Sequence, residues 1–294
     1  MESVDFSNTQ KAFSLKNNKQ LKFSYWLFKL MGNPGMVKFF SKMTLWSIKI
    51  GLPIRPLIKS TIFKQFCGGE SLGESEKVIA SLNKVHVGAI LDYSIEGKER
   101  DEDFESTKNE LLRVVQLAAS NPAVPYTSMK ITGIVRSDLL AKLGTKTVLL
   151  AQEQKEWELF RKRFEEICLR CCQCGVSIYI DAEESWLQGA IDNVTEEMMK
   201  KYNEKKAIVQ TTLQMYRWDR LTYLKKLIDR ARHEHILIGV KLVRGAYWEK
   251  ENKYADANNV LSPVHQLKKD TDADFDNAVD LSLANIDCVT LCAG

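Results

Sequence analysis

From about residue 86 onward, hydrophobic positions alternate between short, nearly unbroken runs and longer stretches of helical period. The short runs are His86–Ile95, Tyr126–Val135, Gly175–Ala182, Ala207–Leu213, Ile236–Val243 and Asp287–Ala293. Their length and β-branched content predict strands. Between them, apolar residues recur every three or four positions over Asp103–Ala119, Glu156–Cys172, Glu196–Lys205, Arg220–Arg232 and Asp272–Leu283, which predicts helices. Strand followed by helix at every step implies parallel strands with right-handed crossovers. Several strands are apolar along nearly their whole length, as in a sheet covered on both faces. An open doubly wound sheet is the rival, but the chain lacks the glycine fingerprint of a dinucleotide-binding version. A βα barrel of about six units is favoured.

Before residue 70 the pattern changes. Aromatic and aliphatic residues (Phe23, Tyr25, Trp26, Phe28, Phe39, Phe40, Trp46) are interrupted by lysines every four to nine positions, so no run is long enough to span a membrane. We divide the chain into a basic helical segment, 1–70, and a βα body, 71–294. Charge sharpens the division. The net charge is only +4, yet no acidic residue lies between Asp5 and Glu70, where eleven lysines and arginines fall. The rest of the chain is therefore acidic, which excludes a uniformly basic nucleic-acid binder. The segment has no secretory-signal pattern, and a single arginine among its basic residues argues against an organellar transit peptide. Two readings stay open: a pair of amphipathic helices packing on the acidic body, or a peripheral contact with an anionic membrane surface.

Seven cysteines, an odd number with no secretory signal, point to a reducing compartment. Cys168, Cys171 and Cys172 share one face of a helix and read as small buried apolar residues. A zinc site would need a second Cys or His pair, and the four histidines form no metal constellation, so no metal is expected. The chemistry lies instead at the C-terminal strand ends, where a barrel places its active site. There stand Asp92 and Glu96, Lys130, Asp181 with Glu183, Gln214, and Lys241. Charges inside apolar strands must pair or face a ligand cavity, because an isolated buried charge costs several kcal/mol. A Lys130–Asp181 pair could plug the barrel end, or the two lysines could serve a Schiff-base lyase.

The run Val240-Lys241-Leu242-Val243-Arg244-Gly245-Ala246-Tyr247-Trp248-Glu249, with the Asp181-Ala182-Glu183 strand end, resembles proline dehydrogenase. That family uses FAD on a distorted (βα)8 TIM barrel to oxidise L-proline to Δ1-pyrroline-5-carboxylate. The resemblance covers residues 65–294 and implies specific roles. Lys241 would sit beside the flavin N5 region, with Val243, Gly245, Ala246 and Trp248 as cofactor contacts and Gln214 bonding the ring edge. Tyr247 would pack over substrate and flavin, Lys130 and Asp181 would form an ionic pair under the substrate, and Glu96 would pair with a substrate-clamping arginine. Electrons would pass to a quinone or similar acceptor. The resemblance also implies a cytoplasmic protein or one peripheral at the inner membrane, mitochondrial if the source is eukaryotic. The sequence ends at the sixth strand, so the last two βα units and the arginines that grip the proline carboxylate are expected to be missing. A truncated, non-catalytic homologue is the alternative.

Overall fold

A computed structural model describes residues 7–93, 98–145 and 147–294. They form two compact units, the first ending at Gly88 and the second running from Ala89 to Gly294.

The first unit is helical: α1 (Thr9–Ala12), α2 (Asn18–Met31), α3 (Pro34–Lys49), α4 (Arg55–Ile58), a π turn (Lys59–Phe63), α5 (Lys64–Phe66) and α6 (Leu72–Asn83). Local sequence sets the starts of its long helices. Asn17 and Gln20 cap α2 reciprocally, each side chain accepting the other's backbone N–H. Asn33 accepts the Gly35 and Met36 N–H groups ahead of α3, and Pro34 occupies the first turn. The burial of these helices is inverted. The residues of α2 and α3 that are buried are Ser24 and Ser47, whereas Trp26 and Trp46 are 63% and 60% exposed. None of the helices among the described residues is long and apolar enough to cross a membrane.

The second unit is α/β. Its strands are β1 (Ile90–Asp92), β2 (Tyr126–Met129), β3 (Ser177–Ile180), β4 (Val209–Gln214), β5 (Ile238–Val243) and β6 (Val289–Ala293). They form one sheet in the order β1 to β6, every neighbour parallel. The helices are α7 (Asp101–Ser120), α8 (Ser137–Gly144), α9 (Ala151–Cys174), α10 (Ser185–Tyr202), α11 (Arg220–Glu234), α12 (Trp248–Asn258) and α13 (Lys268–Leu283). Ile178, Ile180, Val209, Leu213, Ile238, Val240 and Leu242 are all buried, as are Leu111, Phe160, Phe164, Ile167 and Leu224 of the helices. Each such side chain contributes roughly 1.5–3 kcal/mol through removal from water.

The hydrophobic pattern located all six strands but overran two of them by four residues or more at one end. The first begins at Ile90 rather than His86, since His86 adopts a left-handed conformation (φ 59°) after α6. The second stops at Met129 rather than Val135, because the chain turns into a 3-10 helix at Ile131–Gly133. Ile131, Ile134 and Val135 are nevertheless buried, so the apolar run reports burial and not strand. Helix α10 starts at Ser185, eleven residues before the expected Glu196. Helices α8 and α12 did not stand out in the sequence. Cys172 is a further correction: Cys168 and Cys171 are buried, but Cys172 is exposed. The buried stripe of α9 runs through Phe160, Phe164, Ile167 and Cys171, which turns Cys172 outward.

Candidate active site

Alternation along the strands sorts their side chains into two sets. In parallel pairs, matched residues share a face, and the register aligns Ser128 with both Asp92 and Tyr179, Tyr179 with Gln210, Gln210 with Gly239, and Lys241 with both Thr212 and Cys292. Two residues farther along the same face come Lys130, Asp181, Gln214 and Val243. One parity therefore carries the polar set, and the other carries the aliphatic residues packed under the helices. Gly239 has a local reason to lack a side chain: a Cβ there would stand 2.2 Å from the Gln210 side chain.

The polar set converges on a cavity of about 430 Å³ lined by Asp92, Lys130, Asp181, Thr212, Lys241 and Tyr247, with Val243, Gly245 and Ala246 along one wall. That volume lies within the roughly 300–1,000 Å³ of small-molecule sites. Lys241 and Asp181 form an ion pair, and Thr212 donates its hydroxyl to the same carboxylate oxygen at 3.3 Å. The Lys241 ammonium also lies 5.3 Å from the centre of the Tyr179 ring. Lys130 donates to the Tyr247 hydroxyl at 3.2 Å. The expected Lys130–Asp181 pair thus gives way to Lys241–Asp181. Met129 accepts the Asp181 N–H at 2.8 Å, so β3 stays in register up to Asp181. The Asp181 side chain then points across β4 to β5, while Lys130, at the break in β2, leans toward Tyr247.

The strand ends are tied together by bonds that the sequence did not disclose. Glu183 is buried, and its carboxylate accepts the Thr132 N–H at 3.0 Å and the Thr132 hydroxyl at 2.5 Å. Its own N–H donates to Gln188, and its carbonyl accepts from the Gln214 amide at 2.9 Å. The other end of the Gln214 amide accepts the Ala246 N–H at 2.9 Å. A continuous set of bonds therefore runs from the turn after β2, through the end of β3, to the wall at 245–246. Burial pushes the Glu183 carboxyl up to about 7, outweighing the two bonds from Thr132. The signal available in the sequence was a second carboxylate two positions beyond Asp181.

The Gly245–Tyr247 segment is held from behind. Gly245 has φ 139°, and a Cβ on it would lie 2.5 Å from the Tyr216 ring, so only glycine fits this close approach. Helix α12 follows at once, and its fully buried Glu251 accepts both the N–H and the hydroxyl of Ser185, capping α10 at 2.6 Å. Trp186 and Tyr254 stack between the same two helices with centroids 4.0 Å apart.

Of the expected site residues, Lys130, Asp181, Gln214, Lys241, Val243, Gly245, Ala246 and Tyr247 come together at this cavity. Trp248 stands apart from it, 44% exposed, with its indole N–H on the His265 carbonyl at 2.9 Å. Glu96 lies outside the described residues. Among the described residues no cluster of His, Cys, Asp and Glu could hold a metal ion.

A family model described as proline dehydrogenase matches residues 75–294. Proline dehydrogenase 1, mitochondrial, of Dictyostelium discoideum is 29% identical over 95% of this chain and 56% of its own length. Its namesake in Arabidopsis thaliana is 29% identical over 81% of this chain and 56% of its own length. The chain thus spans a little over half the length of these relatives. Among solved structures, proline utilization A (PutA) from Bdellovibrio bacteriovorus, inactivated by N-propargylglycine, superposes with a TM-score of 0.71 at 18% identity. That match covers 98% of this chain and 31% of the other, and shows a shared TIM-barrel-like fold.

Proposed function

Because the chain belongs to the proline dehydrogenase family, we propose that it serves the oxidation of L-proline to Δ1-pyrroline-5-carboxylate, with FAD as cofactor and a quinone-type acceptor for the electrons. The observation that carries this reading is the convergence of Lys130, Asp181, Lys241 and Tyr247 on one cavity beside the Val243–Ala246 wall.

The residues present fit a flavin ring. Val243, Gly245 and Ala246 offer a wall of small side chains and bare backbone, and Lys241 stands half-buried next to it. FAD, when bound, supplies a hydride acceptor. Lys241, Val243, Gly245 and Ala246 would hold it, while Gln214 fixes the Ala246 N–H and so the wall itself. Trp248, held on the His265 carbonyl, would help keep the start of α12 in place behind that wall. Removal of a hydride from the carbon beside the amine builds positive charge on the substrate and negative charge on its acceptor. Fixed groups that meet those charges lower the barrier because they need no reorganisation. Asp181 and Thr212 anchor the Lys241 ammonium, which can face the developing negative charge. Lys130 and Tyr247 border the substrate side, where the amine must lose a proton before the hydride leaves. Glu96 keeps the role implied by resemblance, as partner of a substrate-clamping arginine.

We further propose a peripheral contact between residues 1–70 and an anionic membrane surface, the inner membrane in a mitochondrial setting. The acid-free run of lysines and the exposed rings of α2 and α3 support it. The test of the enzymatic reading is direct. The purified protein should carry the visible flavin band, and L-proline should reduce a dye or quinone analogue in its presence. Absence of flavin, together with a substrate adduct trapped by borohydride on Lys130 or Lys241, would assign the site to carbonyl-lyase chemistry instead.

A further inference from the structure

Within the first unit, Lys16, Lys19 and Lys64 surround a cavity of about 240 Å³ whose remaining polar lining includes Ser24, Ser60 and Gln65. The site is organised from its floor. Ser24 is buried and donates its hydroxyl to Gln65 at 2.9 Å. Lys16 donates to the Ser24 hydroxyl at 3.0 Å and to Gln65 at 3.2 Å. Both acceptors are neutral, so the Lys16 ammonium is positioned without being neutralised and keeps one N–H for a further partner. Among the described residues, no carboxylate pairs with Lys16, Lys19 or Lys64, although Lys59 a short distance along the chain pairs with both Glu70 and Glu74. The cavity also lies at the start of α2, where Lys19 occupies the first turn and the helix dipole adds to the positive potential.

Three ammonium groups around one polar cavity repel one another, and a multiply oxygenated anion among them would reverse that repulsion. Lysine contributes to such sites as a point charge. We propose that this cavity binds a phosphate-ester group. The inference deepens the membrane reading of residues 1–70 and rests on it where the phosphate belongs to a phospholipid headgroup. Phe23, also on the lining and 42% exposed, and Trp26 on the same helix would then meet the interfacial region beside that headgroup.

The experiment compares two triple variants of the full chain with equal loss of charge. One is Lys16→Gln/Lys19→Gln/Lys64→Gln at the cavity. The other is Lys38→Gln/Lys42→Gln/Lys49→Gln on α3, all exposed, and circular dichroism checks that both fold. The first arm measures co-sedimentation with phosphatidylcholine vesicles with and without phosphatidylglycerol. The second measures the rise in melting temperature with inorganic phosphate against chloride at matched ionic strength. The cavity variant should lose about tenfold more vesicle affinity than the control and should alone lose the phosphate-specific rise. Equal losses in both variants in both arms would overturn the cavity while leaving membrane binding intact. A parent chain that ignores vesicles yet shows the phosphate rise, lost only in the cavity variant, would retain the cavity for a soluble phosphate ester and overturn the membrane reading.

Discussion

At the scale of single residues, Glu183 and Asp181 differ in what surrounds them. Glu183 accepts the Thr132 N–H and hydroxyl, and burial outweighs both these bonds and the nearby Lys130 charge, holding its proton on up to about pH 7. Its unfolded value is 4.5, so between these limits the folded chain binds more protons than the unfolded one. Stability from this group is complete below about pH 4.5 and falls as pH rises to about 7, by about 3 kcal/mol in all. Glu183→Gln keeps an acceptor for the Thr132 N–H, so melting temperature measured against pH should lose that decline. Persistence of the full decline in the variant would place its origin elsewhere. Asp181 instead faces Lys241 and Thr212. Asp181→Ala leaves a half-buried ammonium unanchored at the cavity, which the proposed function makes the reacting centre. Turnover with L-proline should fall about a hundredfold or more, with bound flavin changed far less, as absorbance would report. Equal loss of flavin would mean that Asp181 serves binding rather than chemistry.

At the scale of elements, the segment joining β5 to α12 shapes the cavity wall, and its geometry depends on one glycine. Gly245→Ala would place a methyl group against the Tyr216 ring and strain a backbone at φ 139°. Thermal unfolding should report a loss of about 1–3 kcal/mol, and flavin content should drop with it because the wall must shift. An unchanged melting temperature and flavin content would show that the ring and the segment can part freely. This region was half legible in the sequence. The Lys241-to-Glu249 run marked the chemistry, but α12 did not stand out, because its few buried positions, Glu251 and Ala255, make no apolar stripe. The same limit explains β2. A buried apolar run looks alike as strand or turn, and the Thr132–Glu183 contact, fifty-one residues apart, ends the strand.

At the scale of the whole molecule, the two units follow opposite rules of burial. In the α/β unit aliphatic side chains fill the space between sheet and helices, whereas the helical unit exposes rings and buries serines. Thiol reactivity would report on both. All seven cysteines are free. Cys168 and Cys171 lie in the core, where burial raises both thiols, Cys171 to about 12. In the native protein Cys67 and Cys172 should react fastest with a thiol reagent, while Cys168 and Cys171 should wait for global unfolding in denaturant. Fast native labelling of Cys168 would contradict the packing of α9 on the sheet.

The sequence by itself determined the βα rhythm, the six strands, the division between a basic lead-in and an acidic body, and the family, because periodicity, charge and a contiguous motif are properties of neighbours along the chain. Only the tertiary structure decided that Asp181 pairs with Lys241 rather than Lys130, that Glu183 binds the turn after β2, and that Lys16 ahead of α2, Lys19 in α2 and Lys64 in α5 share one cavity. Those outcomes depend on strand register and on contacts between residues tens of positions apart, which local pattern does not encode.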